Sequence, residues 1–200
     1  MDASSTELRV LGSLIEKQRT TPDAYPLSLN ALRLACNQTT SRDPVLELDE
    51  SELRDALERL GRRGWTRLAS GAGSRAVKYR HLLGDALGLT RAELALLSVL
   101  MLRGPQTPGE LKARSDRQHE FASVAEVIQT LDELAARELV VRQGRRPGQK
   151  EDRYAQLLGG EPAEAPLTAP SIADDRLSAL EERVELLERQ LELLLAERSR

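Results

Sequence analysis

Glu7-Leu8-Arg9-Val10-Leu11-Gly12-Ser13-Leu14-Ile15 returns, 86 residues later, as Glu93-Leu94-Ala95-Leu96-Leu97-Ser98-Val99-Leu100-Met101. The apolar positions coincide, and each run leads into a Thr-Pro step at the same offset, Thr21-Pro22 and Thr107-Pro108. Further along, Leu53, Leu57, Leu60 and Trp65 match Val127, Leu131, Leu134 and Leu139, while Tyr79-x-x-Leu82-Leu83 matches Tyr154-x-x-Leu157-Leu158. The offset narrows to 74 and 75 there, as loops of unequal length require. A repeat of this size means a small domain present twice rather than one large core.

Each copy reads as helix, helix, helix and a two-stranded ribbon. In the first, Thr6 is the expected N-cap of an amphipathic helix over 7–18, with Leu8, Leu11, Leu14 and Ile15 on one face. Ser28 is expected to cap a second helix through Leu29, Leu32 and Ala35. Asp49-x-x-Glu52 has the spacing of a capping box and opens a third, with Leu53, Leu57 and Leu60 inward and Gly64 as its stop. Residues 65–69 and 75–80 flank Ser70-Gly71-Ala72-Gly73, and Val77 and Tyr79 alternate with Ala76, Lys78 and Arg80, which predicts a hairpin. The second copy predicts a helix over 91–103, a helix capped by Thr107 with Pro108 at its first position, and a third opened by Ser123-x-x-Glu126. Val127, Ile128, Leu131 and Leu134 are its expected buried side, and strands at 139–142 and 153–155 follow. This order is that of a winged helix. The expected fold is mainly α with small β-wings (α+β): a first winged-helix domain over 1–85 and a second over 86–160.

Beyond Gly160 the composition changes. Residues 161–173 are rich in Pro and Ala without apolar periodicity, which predicts an extended linker. Residues 174–200 carry a heptad, with Leu177, Val184 and Leu191 at a positions and Leu180, Leu187 and Leu194 at d positions. A short coiled coil and a homodimer are expected; the alternative is a helix folded back through Leu186, Leu193 and Leu195. This tail holds ten acids and five bases, so the body of a chain with net charge −3 is close to neutral. Any anionic partner must therefore be read from local clusters.

Cys36 is the single cysteine, and with only His81 and His119 beside it neither a disulfide framework nor a zinc site is expected. No cofactor or metal is implied. A reducing cytoplasm is the expected compartment. No apolar run is long enough to cross a bilayer, and Met1-Asp2-Ala3-Ser4-Ser5 lacks the pattern of a signal peptide.

Several stretches carry a family resemblance: Leu14-Ile15-Glu16-Lys17, Tyr25-Pro26-Leu27-Ser28-Leu29-Asn30-Ala31-Leu32, Ala35-Cys36-Asn37-Gln38 and Ser41-Arg42-Asp43-Pro44-Val45. So do Val77-Lys78-Tyr79-Arg80-His81, the run from Leu102 to Leu111 and Arg146-Pro147-Gly148-Gln149-Lys150. Over residues 6–160 the chain resembles the YceH-like family of bacterial proteins. The resemblance implies tandem winged helices and no particular activity. Thr39 stands where related chains carry a basic residue, which takes one cation out of that loop.

A winged helix usually places its third helix in the major groove and its wing on the backbone. Here the third helices begin Asp49-Glu50-Ser51-Glu52 and Ser123-Val124-Ala125-Glu126, so phosphates there would meet acids. The wings differ. Residues 62–81 hold Arg62, Arg63, Arg67, Arg75, Lys78 and Arg80 without an acid; residues 142–153 hold Arg142, Arg145, Arg146, Lys150 and Arg153 against Glu151 and Asp152. The expected nucleic-acid contacts are Arg67, Arg75, Lys78, Arg80, Arg142, Arg145, Arg146 and Lys150, on double-stranded DNA. The bland alternative is that such charges guard sheet edges against aggregation. A protein partner, with the domain faces and the heptad as a scaffold, is the competing function. No catalytic constellation is expected: His81 reads as a surface or hinge residue, His119 as a loop residue and Cys36 as a packed thiol. The loop Asn37 to Pro44 reads either as a recognition surface or, preferentially, as a hydrogen-bonded structural turn.

Overall fold

The computed structural model describes residues 3–69, 77–144 and 151–160. The linker and heptad expected over 161–200, with Leu177, Leu180, Val184, Leu187, Leu191 and Leu194, lie outside the described residues. Helix α1 (Ser5–Thr20) starts earlier than the apolar pattern predicts, because Ser4 rather than Thr6 is its cap. Ser4 Oγ accepts the Glu7 N–H at 3.2 Å and the Glu7 carboxylate accepts the Ser4 N–H at 2.7 Å. Thr6 has Arg9 three positions on, which offers no acceptor for the return bond; the reciprocal pair at Ser4 satisfies two otherwise unpaired donors.

After a 3₁₀ turn at Pro22–Ala24 come β1 (Leu27–Ser28), α2 (Leu29–Cys36), α3 (Glu50–Arg62), β2 (Thr66–Ala69) and β3 (Lys78–His81). A short helix α4 (Leu83–Leu87), which the repeat does not announce, leads to the second copy: α5 (Arg91–Arg103), α6 (Pro108–Ser115), α7 (Val124–Ala136), β4 (Val140–Gln143) and β5 (Arg153–Gln156). The chain is thus a mixed α and β protein whose strands form one small antiparallel sheet per copy.

In the first sheet Leu27 pairs with Tyr79. In the second that strand shrinks to one residue: the Gln106 N–H donates to the Tyr154 carbonyl at 3.0 Å and the Tyr154 N–H to the Gln106 carbonyl at 2.8 Å. Tyr79 and Tyr154 are the tyrosines matched by the repeat, so one strand position is used twice. This register corrects another correspondence. Thr107, next after the bridge, caps α6 by accepting the Glu110 N–H at 3.2 Å, and the residue in that place in the first copy is Ser28, which accepts the Ala31 N–H at 3.3 Å. Thr21-Pro22 is therefore not the structural counterpart of Thr107-Pro108; the turn inserted before β1 separates them.

Both copies lie in one compact unit, and their first helices pack on each other. Gly12 makes the approach feasible: a Cβ there would stand 2.8 Å from Leu102 Cγ and 3.2 Å from Met101 Cβ. Its repeat partner is the fully buried Ser98, whose hydroxyl donates to Gln118 Oε1 at 2.7 Å. Leu11, Leu14 and Ile15 of α1 join Leu96, Leu97 and Leu100 of α5 in one core, each contributing about 1.5–3 kcal/mol on burial.

Two further expectations are corrected. Ile128 is 38 % exposed, because Val127, Leu131 and Leu134 already define the buried face of α7 and Ile128 falls at its edge. Ser123 does accept the Glu126 N–H, but the Glu126 carboxylate returns to the Ala122 N–H at 2.7 Å, one residue beyond a capping box. The polar loop before α3 is anchored at Arg42 and exposed from Thr39 to Ser41 and at Asp43 and Pro44. Its Arg42 is buried, donates to the Ala35 carbonyl at 3.1 Å and to Gln38 at 2.8 Å, and forks onto Glu16 at 2.6 and 3.2 Å.

Candidate nucleic-acid interface

Strands β2 and β3 pair Thr66 with His81, Arg67 with Arg80, Leu68 with Tyr79 and Ala69 with Lys78. Cross-strand partners share a face and neighbours along a strand alternate. Thr66 and His81 thus turn inward and are buried, while Arg67, Arg80 and Lys78 share the opposite face. Among the described residues no ion pair engages these three cations. Over Lys78, Tyr79 and Arg80 the alternation read from the sequence is seen, and it gathers three of the eight expected contacts onto one surface; Ala76 and the turn expected at Ser70 to Gly73 lie outside the described residues. Arg75, Arg145, Arg146 and Lys150 lie outside the described residues.

The second ribbon is electrostatically different. Arg142 is 65 % exposed, yet its guanidinium is ion-paired to Asp152, with Nε at 2.8 Å from the carboxylate. Arg153 donates to Glu110 at 2.9 Å and to the Pro105 carbonyl at 3.0 Å. The described cations of that ribbon are therefore already answered by acids.

The third helices present little positive charge. On α3, Arg54 pairs with Glu50 at 3.1 Å and Arg62 pairs with Glu58. Helix α7 contains no basic residue and exposes Asp132 and Glu133. Beside each third helix runs a groove against its ribbon. The first encloses 300 Å³ among Leu57, Leu68 and Tyr79; the second encloses 330 Å³ among Val124, Ile128 and Tyr154, with Asp132, Glu151 and Asp152 at its rim. Leu68 and Ile128 are exposed within them.

His81 is not at the surface, contrary to expectation. It is 5 % exposed; its backbone N–H donates to Tyr25 Oη at 2.8 Å and its Nε2 lies 2.7 Å from Gln18 Oε1. Burial pushes its pKa down to about 4, with the Arg80 and Arg19 charges adding to the shift and Asp85 opposing it. Period-two alternation from Tyr79 is the signal that places His81 inward. Arg19 and Arg91, which line the same cavity as Arg80, have no comparable signal, since they belong to the end of α1 and the start of α5.

Cys36 is fully buried, and burial pushes its thiol up to about 11, so it stays protonated and packed. No three His, Cys, Asp or Glu side chains among the described residues are grouped to hold a metal ion. No helix among them is long and apolar enough to cross a membrane.

Residues 3–149 match the family model described as a protein of unknown function, DUF480. A UPF0502 protein of Serratia proteamaculans is 48% identical, with 97% of this chain and 96% of that one covered. The UPF0502 protein YceH of Salmonella paratyphi B is 46% identical over 98% of this chain and 97% of its own. One from Citrifermentans bemidjiense is 54% identical over 82% of this chain and 77% of its own. With both the repeated body and nearly its full length shared at this level of identity, the chain belongs to the DUF480 family, the YceH-like proteins of bacteria.

Proposed function

We propose that this is a noncatalytic protein of two tandem winged helices that binds double-stranded DNA through the outer face of its first ribbon. The observation that carries the reading is the direct cross-strand opposition of Arg67 and Arg80, with Lys78 beside them and no acid paired to any of the three among the described residues. Like charges placed directly opposite each other weaken a sheet. A phosphate backbone supplies the missing counter-charge and contributes affinity that depends on salt and little on sequence. The acidic and ion-paired third helices favour this backbone mode over insertion into the major groove. A mobility-shift titration with nonspecific duplex at several salt concentrations tests it: the triple variant Arg67→Gln, Lys78→Gln, Arg80→Gln should lose retardation, and unchanged retardation removes the proposal.

A second reading rests on the groove beside α7. Its exposed Val124 and Ile128, with Asp132 and Glu151 beside the Arg142–Asp152 pair, suit an apolar and basic peptide better than DNA, and would make the second copy a protein-binding module. If the heptad at Leu177 to Leu194 joins two chains, both kinds of surface are doubled and weak contacts gain avidity. Sedimentation of the full chain and of a chain ending at Gly160 reads that step as dimer against monomer.

A further inference from the structure

We infer that the cavity between the end of α1, the end of β3 and the start of α5 is a binding site for a small metabolite carrying a phosphate or carboxylate group. It encloses 370 Å³, within the roughly 300–1,000 Å³ of small-molecule sites. Three arginines line it: Arg19, Arg80 and Arg91. Each comes from a different element, and no ion pair engages any of them among the described residues. Asp85 is the single carboxylate in the lining, so the wall keeps an excess of positive charge.

Beneath the cavity surface two atoms of its lining residues, Arg80 Nε and His81 Nδ1, are buried without a hydrogen-bond partner. Buried polar atoms are rarely left unpaired, and the penalty is largest for a charged group. The Gln18 side chain meets the other ring nitrogen of His81, Nε2, at 2.7 Å. The accessible arginine donors of the lining therefore ask for an oxyanion. A phosphate and a carboxylate each offer one. Leu89 and Leu94 supply an apolar wall for the remainder of such a molecule.

This site does not rest on the nucleic-acid reading, although Arg80 belongs to both surfaces. Arg19 and Arg91 line the cavity, whereas Arg67 and Lys78 have no part in its lining. The test uses the full chain in buffer free of oxyanions and follows the His81 ring signals by NMR during separate titrations with inorganic phosphate and with glycolate. Saturable movement with either anion supports the site and names its head group. The double variant Arg19→Gln, Arg91→Gln should weaken that binding by about tenfold or more, as the loss of charged hydrogen bonds predicts. Asp85→Asn should instead tighten it, a change of opposite sign that a damaged fold would not give. Movement that fails to saturate, or that ignores all three substitutions, shows an adventitious ion only and overturns the site. So does a short duplex that shifts His81 identically and displaces phosphate, since the cavity would then read backbone phosphates. A failure to retard duplex leaves the phosphate titration unaffected, which separates the two proposals.

Discussion

Glu93 and Arg137 are ion-paired at 2.9 Å, and the second oxygen of Glu93 accepts the Thr90 N–H at 2.7 Å, so one buried acid both caps α5 and ties it to the end of α7. Arg137 also reaches the Leu87 carbonyl at the end of α4. The first copy uses the repeat-matched acid more loosely: Glu7 caps α1 at Ser4, lies 3.9 Å from Arg63, the counterpart of Arg137, and 3.5 Å from Arg59. Glu93→Gln keeps the shape and removes the charge, and should lower unfolding free energy by about 1–2 kcal/mol. Arg137→Met should cost about 1–3 kcal/mol by leaving the carboxylate with one partner fewer. Urea denaturation reads both, and a midpoint unmoved in either variant would show the tie to be incidental.

Glycines at two helical positions should respond in opposite directions. Gly12→Ala drives a methyl into Leu102 and Met101 at the seam between the copies, an overpacking that costs about 1–3 kcal/mol. Gly61, near the end of α3, has only Thr66 Oγ1 at 4.0 Å from its added Cβ. Gly61→Ala should therefore stabilise by about 0.4–1 kcal/mol through the unfolded chain. Equal shifts in the two melting curves would mean that the α1 and α5 contact tolerates more slack than its distances indicate.

His81 should make the fold sensitive to acid. Its folded pKa of about 4 lies below the ordinary value of 6.5, so the unfolded chain takes up the proton first as pH falls. The contribution is whole above pH 6.5 and is lost progressively down to pH 4, worth about 3 kcal/mol at most. Arg80 and Arg19 reinforce the effect and Asp85 opposes it. Stability measured at pH 7 and at pH 4.5 should therefore fall more in the native chain than in His81→Asn. Parallel losses in the two proteins would assign the acid sensitivity to carboxylates elsewhere.

The legible parts of this fold are those in which a local pattern and a local bond coincide. Asp49-x-x-Glu52 and Thr107-Pro108-x-Glu110 state their caps within four residues, and Lys78, Tyr79 and Arg80 state their faces by alternation. The repeat, in turn, exposes long-range equivalences such as Glu7 with Glu93. What stays hidden depends on partners that sequence separation does not reveal. Arg42 sits in a stretch that reads as a locally hydrogen-bonded turn, yet its fork closes on Glu16 across 26 residues. Arg19 and Arg91 meet at one cavity only because the first helices of the two copies pack together. Arg142 reads as a free wing cation, and only the pairing of β4 with β5 shows Asp152 beside it.

That contrast between ribbons yields a graded prediction for duplex binding. Each phosphate contact removed should reduce the slope of log K against log salt by about 0.9. Arg67→Gln and Lys78→Gln together should therefore flatten the slope by nearly two contacts, because no carboxylate among the described residues already occupies these charges. Arg142→Gln should change it little, since Asp152 holds that guanidinium and would have to be displaced first. A larger effect from Arg142 than from Arg67 would move the interface to the second ribbon. It would also show that an exposed ion pair opens at small cost, as measured couplings of about 0.2–1 kcal/mol for such pairs allow.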